Sequence, residues 1–285
     1  MTETRRRGQR DWLTPLLLLP AALLLIVFLA VPLCATVWLS LSPNVLVHFS
    51  GHGIGNFAYM VSKPYYIGVG LRTLRLALET TAVSLVLGYS AALALRDLPV
   101  RLSGTLTLAM TLPILAGPLV VVLGWMILLS DGGPILRPLA QWGLIGRLHI
   151  LGSETGMVIG IVHFVLPFVV LSLANVLRGI PEPLLEVAHS LGASPWQRFY
   201  TVTLPLSVPG ILSATIIALS LSMSSFIAPH YLGGPADMTL TTLVAQFVLA
   251  TYNGQLAATV SVVLLVIMAT AILSLTLGVS RWVRA

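Results

Sequence analysis

The feature that most limits how this chain can fold is a set of six apolar runs, each long enough to cross a bilayer as a helix. Such a crossing takes about 20 apolar residues. Runs of that length lie at about 13–41, 69–96, 102–130, 155–178, 205–229 and 256–282. Backbone N–H and C=O groups must find partners inside the membrane, so an open sheet is excluded and helices remain. Composition agrees: 57% of residues are hydrophobic and only 8% charged, against roughly a quarter charged in soluble domains. So few charges cannot cover a water-facing surface. The fold class expected is all-α, a polytopic membrane protein with six transmembrane helices.

Basic residues set the orientation. With the N-terminus inside, the inner side carries Arg5, Arg6, Arg7, Arg10, Arg96, Arg101, Arg178, Arg198, Arg281 and Arg284, and the outer side Lys63, Arg72, Arg75, Arg137 and Arg147. This asymmetry predicts cytoplasmic N- and C-termini. The net charge of +6 is scattered between the spans. No basic stripe with interleaved aromatics tracks a phosphate backbone, so nucleic acid is not an expected partner. The arginines ahead of residues 13–41 resemble a signal peptide's start. The apolar run is far longer than a signal's core, however, and reads as a retained first span. Cys34 is the single cysteine, which excludes an intrachain disulfide.

The loops on the outer side are rich in turn residues, notably Asp131-Gly132-Gly133-Pro134 and His230 to Pro235. Residues 241–252 are apolar but too short to cross, which predicts a helix on the outer surface or a re-entrant one. Pro113, Gly117, Pro118, Pro167, Pro209 and Gly210 interrupt the spans. Each is ordinary in membrane helices, and each also permits a kink.

Enzymatic motifs are missing. The single lysine, Lys63, precedes Pro64, so there is no GxxxxGK[ST] phosphate loop, and neither HExxH nor GxSxG occurs. His48 and His52 sit in a glycine-rich loop with no third metal ligand nearby. Catalytic and metal-binding residues are therefore not expected. Polar groups inside the spans are the remaining candidates. Arg72, Arg75 and Glu79 fall on one face of the second span, with Arg75 and Glu79 at i,i+4. A charge there is expensive, so Glu79 faces protein, water or Arg75. It either lines a cation path or forms a structural ion pair. His163, Asn175, Ser220, Ser222, Ser224 and Ser225 carry the same two readings, path or packing. Glu79, His163, Ser222 and Ser225 are kept as candidate path residues.

The longest inner loop, 182–205, has its own order. Pro181 and Pro183 suit a helix start, and Glu182 and Glu186 complement its dipole. Leu184, Leu185, Ala188 and Leu191 form an apolar stripe, Gly192 breaks it, and Ser194-Pro195 starts a second helix bearing Trp196, Phe199 and Tyr200. Two short amphipathic helices joined at a glycine could enter another protein's groove.

This loop resembles the Glu-Ala-Ala loop (E-A-A-x3-G-x6-F-x2-I-x-L-P) of binding-protein-dependent ABC importer permeases. Glu186, Ala188, Gly192, Phe199, Val202, Leu204 and Pro205 stand at its spacing, with Val187 for the second alanine and Val202 for isoleucine. Arg72-Thr73-Leu74, Gly124-Trp125-Met126, Asp131-Gly132-Gly133, Leu166-Pro167-Phe168 and Pro229 to Pro235 (PHYLGGP) look like the spermidine/putrescine branch.

The resemblance implies a type I importer architecture in a bacterial inner membrane. Residues 1–68 hold a tail, the first helix and the first outer loop, and 69–282 hold a five-helix core with a coupling loop at 182–205. Glu186, Ala188, Gly192, Phe199, Leu204 and Pro205 would couple to an ABC ATPase dimer, which would bind the ATP and magnesium that this chain does not. A second permease subunit, a periplasmic solute-binding protein and membrane lipid complete the implied partners, with polyamines as the implied solute. Relatives for opines, thiamine or iron, and a self-sufficient secondary transporter, are the alternatives.

Overall fold

The computed structural model describes residues 19–44, 53–141 and 149–284. Arg5, Arg6, Arg7, Arg10, His48, His52 and Arg147 lie outside them. Twelve helices are present among the described residues, and no strand. They are α1 Leu19–Ser40, α2 Gly55–Ser62, α3 Pro64–Asp97, α4 Val100–Ala116, α5 Pro118–Leu129 and α6 Leu136–Gln141, then α7 Glu154–Arg178, α8 Glu182–Ser190, α9 Pro195–Ser224, α10 Ile227–Leu232, α11 Leu240–Leu249 and α12 Gly254–Arg284. Five of these, α1, α3, α7, α9 and α12, are long and apolar enough to cross a membrane, and α4 with α5 makes a sixth, broken span.

Two of the expected spans differ in form. The run at 102–130 is not one straight crossing, because α4 and α5 meet at 98°. The break falls at Gly117, whose φ of +79° suits glycine, with Pro118 opening the next helix. The run expected from about 205 begins ten residues earlier. There α9 rises from the loop through a π-helical turn at Phe199–Thr203 without interruption. The Leu204 N–H reaches the Phe199 carbonyl, and Pro205, which has no N–H to offer, follows directly. The second loop helix is therefore the first turn of a spanning helix.

The chain divides into two compact units, Met1–Lys63 with Val244–Val263, and Pro64–Leu243 with Leu264–Ala285. In the first unit, α1 exposes Leu23, Leu24, Leu25, Phe28 and Trp38, which suits a lipid surround. Buried amides hold its end: Asn56 donates to the Ser40 and Ser42 carbonyls at 2.8 and 2.9 Å. Asn253 caps α12 by accepting from the Leu256 N–H at 3.0 Å, and its side-chain oxygen also accepts from Asn44 at 2.7 Å.

In the second unit, α3, α7 and α9 pack against one another. Their shared core contains Leu76, Ala92, Ile161, Val165, Val169, Leu173, Leu177, Ala214 and Ala218. Small residues set the approach: a Cβ at Gly88 would lie 2.5 Å from Val169 Cγ1, and one at Gly210 would lie 2.8 Å from Val176. Without a hydrophobic drive between helices in lipid, close backbone approach supplies the packing energy. Tyr89 Oη and Ser207 Oγ, 2.9 Å apart, add a hydrogen bond between α3 and α9.

Candidate functional site

The loop between α7 and α9 is built almost wholly from local interactions. Pro181 precedes α8, and Pro183 stands in its first turn, where a missing N–H costs nothing. At the other end Gly192 adopts φ +81°. Its N–H bonds to the His189 carbonyl at 2.9 Å and the Ala193 N–H to that of Ala188 at 3.1 Å, the paired closure of a helix end on a left-handed residue. Two residues later Ser194 and Gln197 form a reciprocal capping box. Ser194 Oγ accepts from the Gln197 N–H at 3.3 Å, and Gln197 Oε1 accepts from the Ser194 N–H at 2.7 Å. The turn between the helices is thereby fixed without help from the rest of the bundle.

This loop presents apolar side chains to the outside. Leu184, Val187, Leu191, Trp196 and Tyr200 are exposed, Leu191 at 82% and Trp196 at 68%. Apolar side chains clustered on a short rigid element are suited to burial against a protein or a membrane. Glu186 is exposed, Ala188 half-buried and Gly192 exposed, with nothing within 4 Å of where a Cβ would sit. Phe199 plays a different part. Half-buried, it stacks on Trp196 at 5.7 Å and meets Tyr89 of α3 edge-on at 6.0 Å, so it anchors the exposed helix to the bundle. Leu204 is half-buried and Pro205 exposed at the foot of the span. Beneath the loop, Arg96, Asp97, Glu182, Leu185, Arg198 and Phe199 line an open recess of about 480 Å³.

The intramembrane candidates fall in three places. Glu79 pairs with Arg75 at 2.7 Å, and Arg75 lies 3.5 Å from Glu154 in the first turn of α7. The expected i,i+4 pair is thus a three-residue cluster. Glu154 is not among the residues the sequence singles out, because no local spacing links it to Arg75. His163 is half-buried and meets Trp125 of α5 edge-on at 5.7 Å. Ser222 is buried, and its hydroxyl has no hydrogen-bond partner among the described residues. Ser225 lines a cavity of about 270 Å³ together with Ser224, Phe226, Pro118, Val122 and Phe164.

That cavity lies where two helices are interrupted, after Gly117 and after Ser224. Non-helical backbone at membrane depth is tolerated only where protein or a water-filled space surrounds it. The backbone here is stitched by side chains: Thr241 Oγ1 donates to the Ser225 carbonyl at 2.7 Å, and Thr73 Oγ1 accepts from the Leu240 N–H at 2.9 Å. No sequence spacing pairs Thr73 with Leu240.

Five or six helices long and apolar enough to span, a broken helix pair and an exposed two-helix loop describe a multi-pass membrane protein. The family described as binding-protein-dependent transport system inner membrane component matches residues 84–284. The chain belongs to that family, and is a permease subunit of an ABC importer, a membrane component and not a catalytic enzyme. The spermidine/putrescine transport system permease protein PotB of Salmonella typhimurium (strain SL1344) is 30% identical over 216 residues, 75% of either chain. The molybdenum transport system permease protein ModB of Azotobacter vinelandii is 36% identical over 176 residues, 61% of this chain and 76% of that one. Among solved structures, a bacterial alginate ABC transporter in complex with alginate pentasaccharide-bound periplasmic protein aligns with a TM-score of 0.78. The identity is 18%, over 95% of each chain, a likeness of fold.

Proposed function

We propose that this chain forms half of the translocation path of an ATP-driven importer in a bacterial inner membrane, with a polyamine or similar small organic cation as solute. The observation that carries the mechanical part is the continuity of α9 with the loop. Leu184, Val187, Leu191, Trp196 and Tyr200 form the docking face for an ABC ATPase dimer, and Glu186, Ala188, Gly192, Phe199, Leu204 and Pro205 keep that face in shape and joined to the span. A displacement of the docked helix is passed along α9 toward Ser222 and Ser225, because α9 runs from Pro195 to Ser224 through the π turn without interruption. ATP and magnesium belong to the ATPase partner. A second permease subunit supplies the other half of the path, and a periplasmic binding protein delivers solute. In this reading both termini are cytoplasmic, residues 1–68 hold the tail, the first spanning helix and the first periplasmic loop, and 69–282 form the transporting core with its coupling loop at 182–205.

The polyamine assignment rests on the spermidine/putrescine relatives, and Glu79, Glu154 and His163 supply polar groups suited to a cation. The ModB relative favours a second reading, a small oxyanion, and the hydroxyls of Ser224 and Ser225 suit that chemistry. The test is reconstitution with a cognate ABC ATPase, second permease and periplasmic binding protein. Stimulation of ATP hydrolysis and uptake by spermidine, but not molybdate, is the expected result. Stimulation by molybdate alone would transfer the assignment to the oxyanion. Uptake by this polypeptide alone, driven by an ion gradient, would overturn the importer mechanism.

A further inference from the structure

Arg96 and Arg178 do more than mark a side of the membrane. They converge with Leu95, Ser103, Thr107 and Leu108 on an open recess of about 530 Å³ where α3 ends, α4 begins and α7 ends. Arg178 donates to Ser103 Oγ at 2.5 Å, and Arg96 reaches the Ile180 carbonyl at 3.5 Å. The hydroxyl protons are already engaged: Ser103 donates to the Leu95 carbonyl, Thr107 to that of Ser103 and Thr111 to that of Leu108. Each guanidinium has five N–H donors, so most remain uncommitted. None of the described lining residues is acidic; Asp97 and Glu182 line the neighbouring recess under the loop, which Arg96 also borders, whereas Arg178 faces this recess alone. The site is therefore rich in donors and positive charge and offers only neutral acceptors, so an anion would complete it.

The surroundings choose the source of that anion. Along α4 the recess gives way to exposed Leu102, Leu108, Leu112 and Leu115, a surface for acyl chains beside a binding place for a headgroup. We infer that Arg96 and Arg178 hold the phosphate of one anionic phospholipid at the same end of the bundle as the α8–α9 loop. Basic pockets between spanning helices bind such headgroups by this combination of charge and apolar wall. The chemistry selects a phosphate diester with two acyl chains over a zwitterionic lipid, whose own cation would meet two arginines.

The test uses the full chain purified in mixed micelles of phosphatidylglycerol or phosphatidylcholine, with bound lipid counted by native mass spectrometry. One phosphatidylglycerol should be retained at least tenfold better than phosphatidylcholine. The double variant Arg96→Gln/Arg178→Gln should weaken that retention about thirtyfold, while Arg101→Gln, outside the recess, should not. Thr107→Phe fills the recess and leaves both charges in place, so it should show the same loss and guards against misfolding of the glutamine variants. Equal retention of the two lipids would overturn the inference, as would an equal loss in Arg101→Gln. Displacement by millimolar inorganic phosphate would reduce it to a free-anion site. Expulsion of the lipid when the second permease assembles would make this face a protein interface.

Discussion

Gly192 offers the sharpest test of how the loop works, because the structure separates conformation from space at that position. Its φ is +81° and nothing lies within 4 Å of an added Cβ. Gly192→Ala therefore meets no clash and costs only the left-handed backbone, about 1–2 kcal/mol. That energy corresponds to roughly a 5- to 30-fold loss of the native turn relative to its competitors. A β-branched Gly192→Val should cost more, and Gly192→Asn less, because asparagine tolerates this conformation. The spans do not depend on the turn, so membrane insertion and yield should stay at wild-type level in all three. Co-purification of the ATPase and solute uptake should fall in the order Gly, Asn, Ala, Val. Wild-type uptake in Gly192→Val would refute the proposed role of the loop. Equal abolition by Asn, Ala and Val would refute the conformational account and place a partner atom against Gly192 instead.

Three further outcomes follow from the geometry. Gly88→Leu forces an overpacked α3–α7 contact, since the Cβ alone would lie 2.5 Å from Val169 Cγ1. It should lower stability by about 1–3 kcal/mol, seen as a lower melting temperature in detergent and partly recovered by Val169→Ala. Glu79→Gln breaks an ion pair whose side chains are 39% and 67% exposed. Stability should change little, while uptake of a cationic solute falls; unchanged uptake would leave the pair a structural role alone. Ser194→Ala removes the cap of the second loop helix, worth about 1 kcal/mol, and should speed hydrogen exchange at the Gln197 amide about fivefold.

What could be read from the chain alone was whatever depends on neighbours in sequence. The apolar runs identified the spans, since the cost of unpaired backbone in lipid leaves a run of that length little choice but helix. The start of the first loop helix and the break between the two loop helices were legible, but not where the second helix ends. Pro183, Gly192 and Ser194 act within one or two turns of themselves, so their caps and left-handed turn need no tertiary context; the answering Gln197 of the capping box is equally local and was not singled out. Tertiary structure decided the rest. The sharp bend at Gly117 and the fusion of the loop helix to α9 depend on how the freed backbone groups are accommodated by packing. The cavity at Ser225, the Thr73–Leu240 bond and the joining of Glu154 to Arg75 unite residues far apart in the chain, and no local period marks them. The same holds for Arg96 and Arg178. Each alone is a charge at a membrane boundary, and only the crossing of α3, α4 and α7 turns the pair into a recess with donors on one side and an apolar wall on the other.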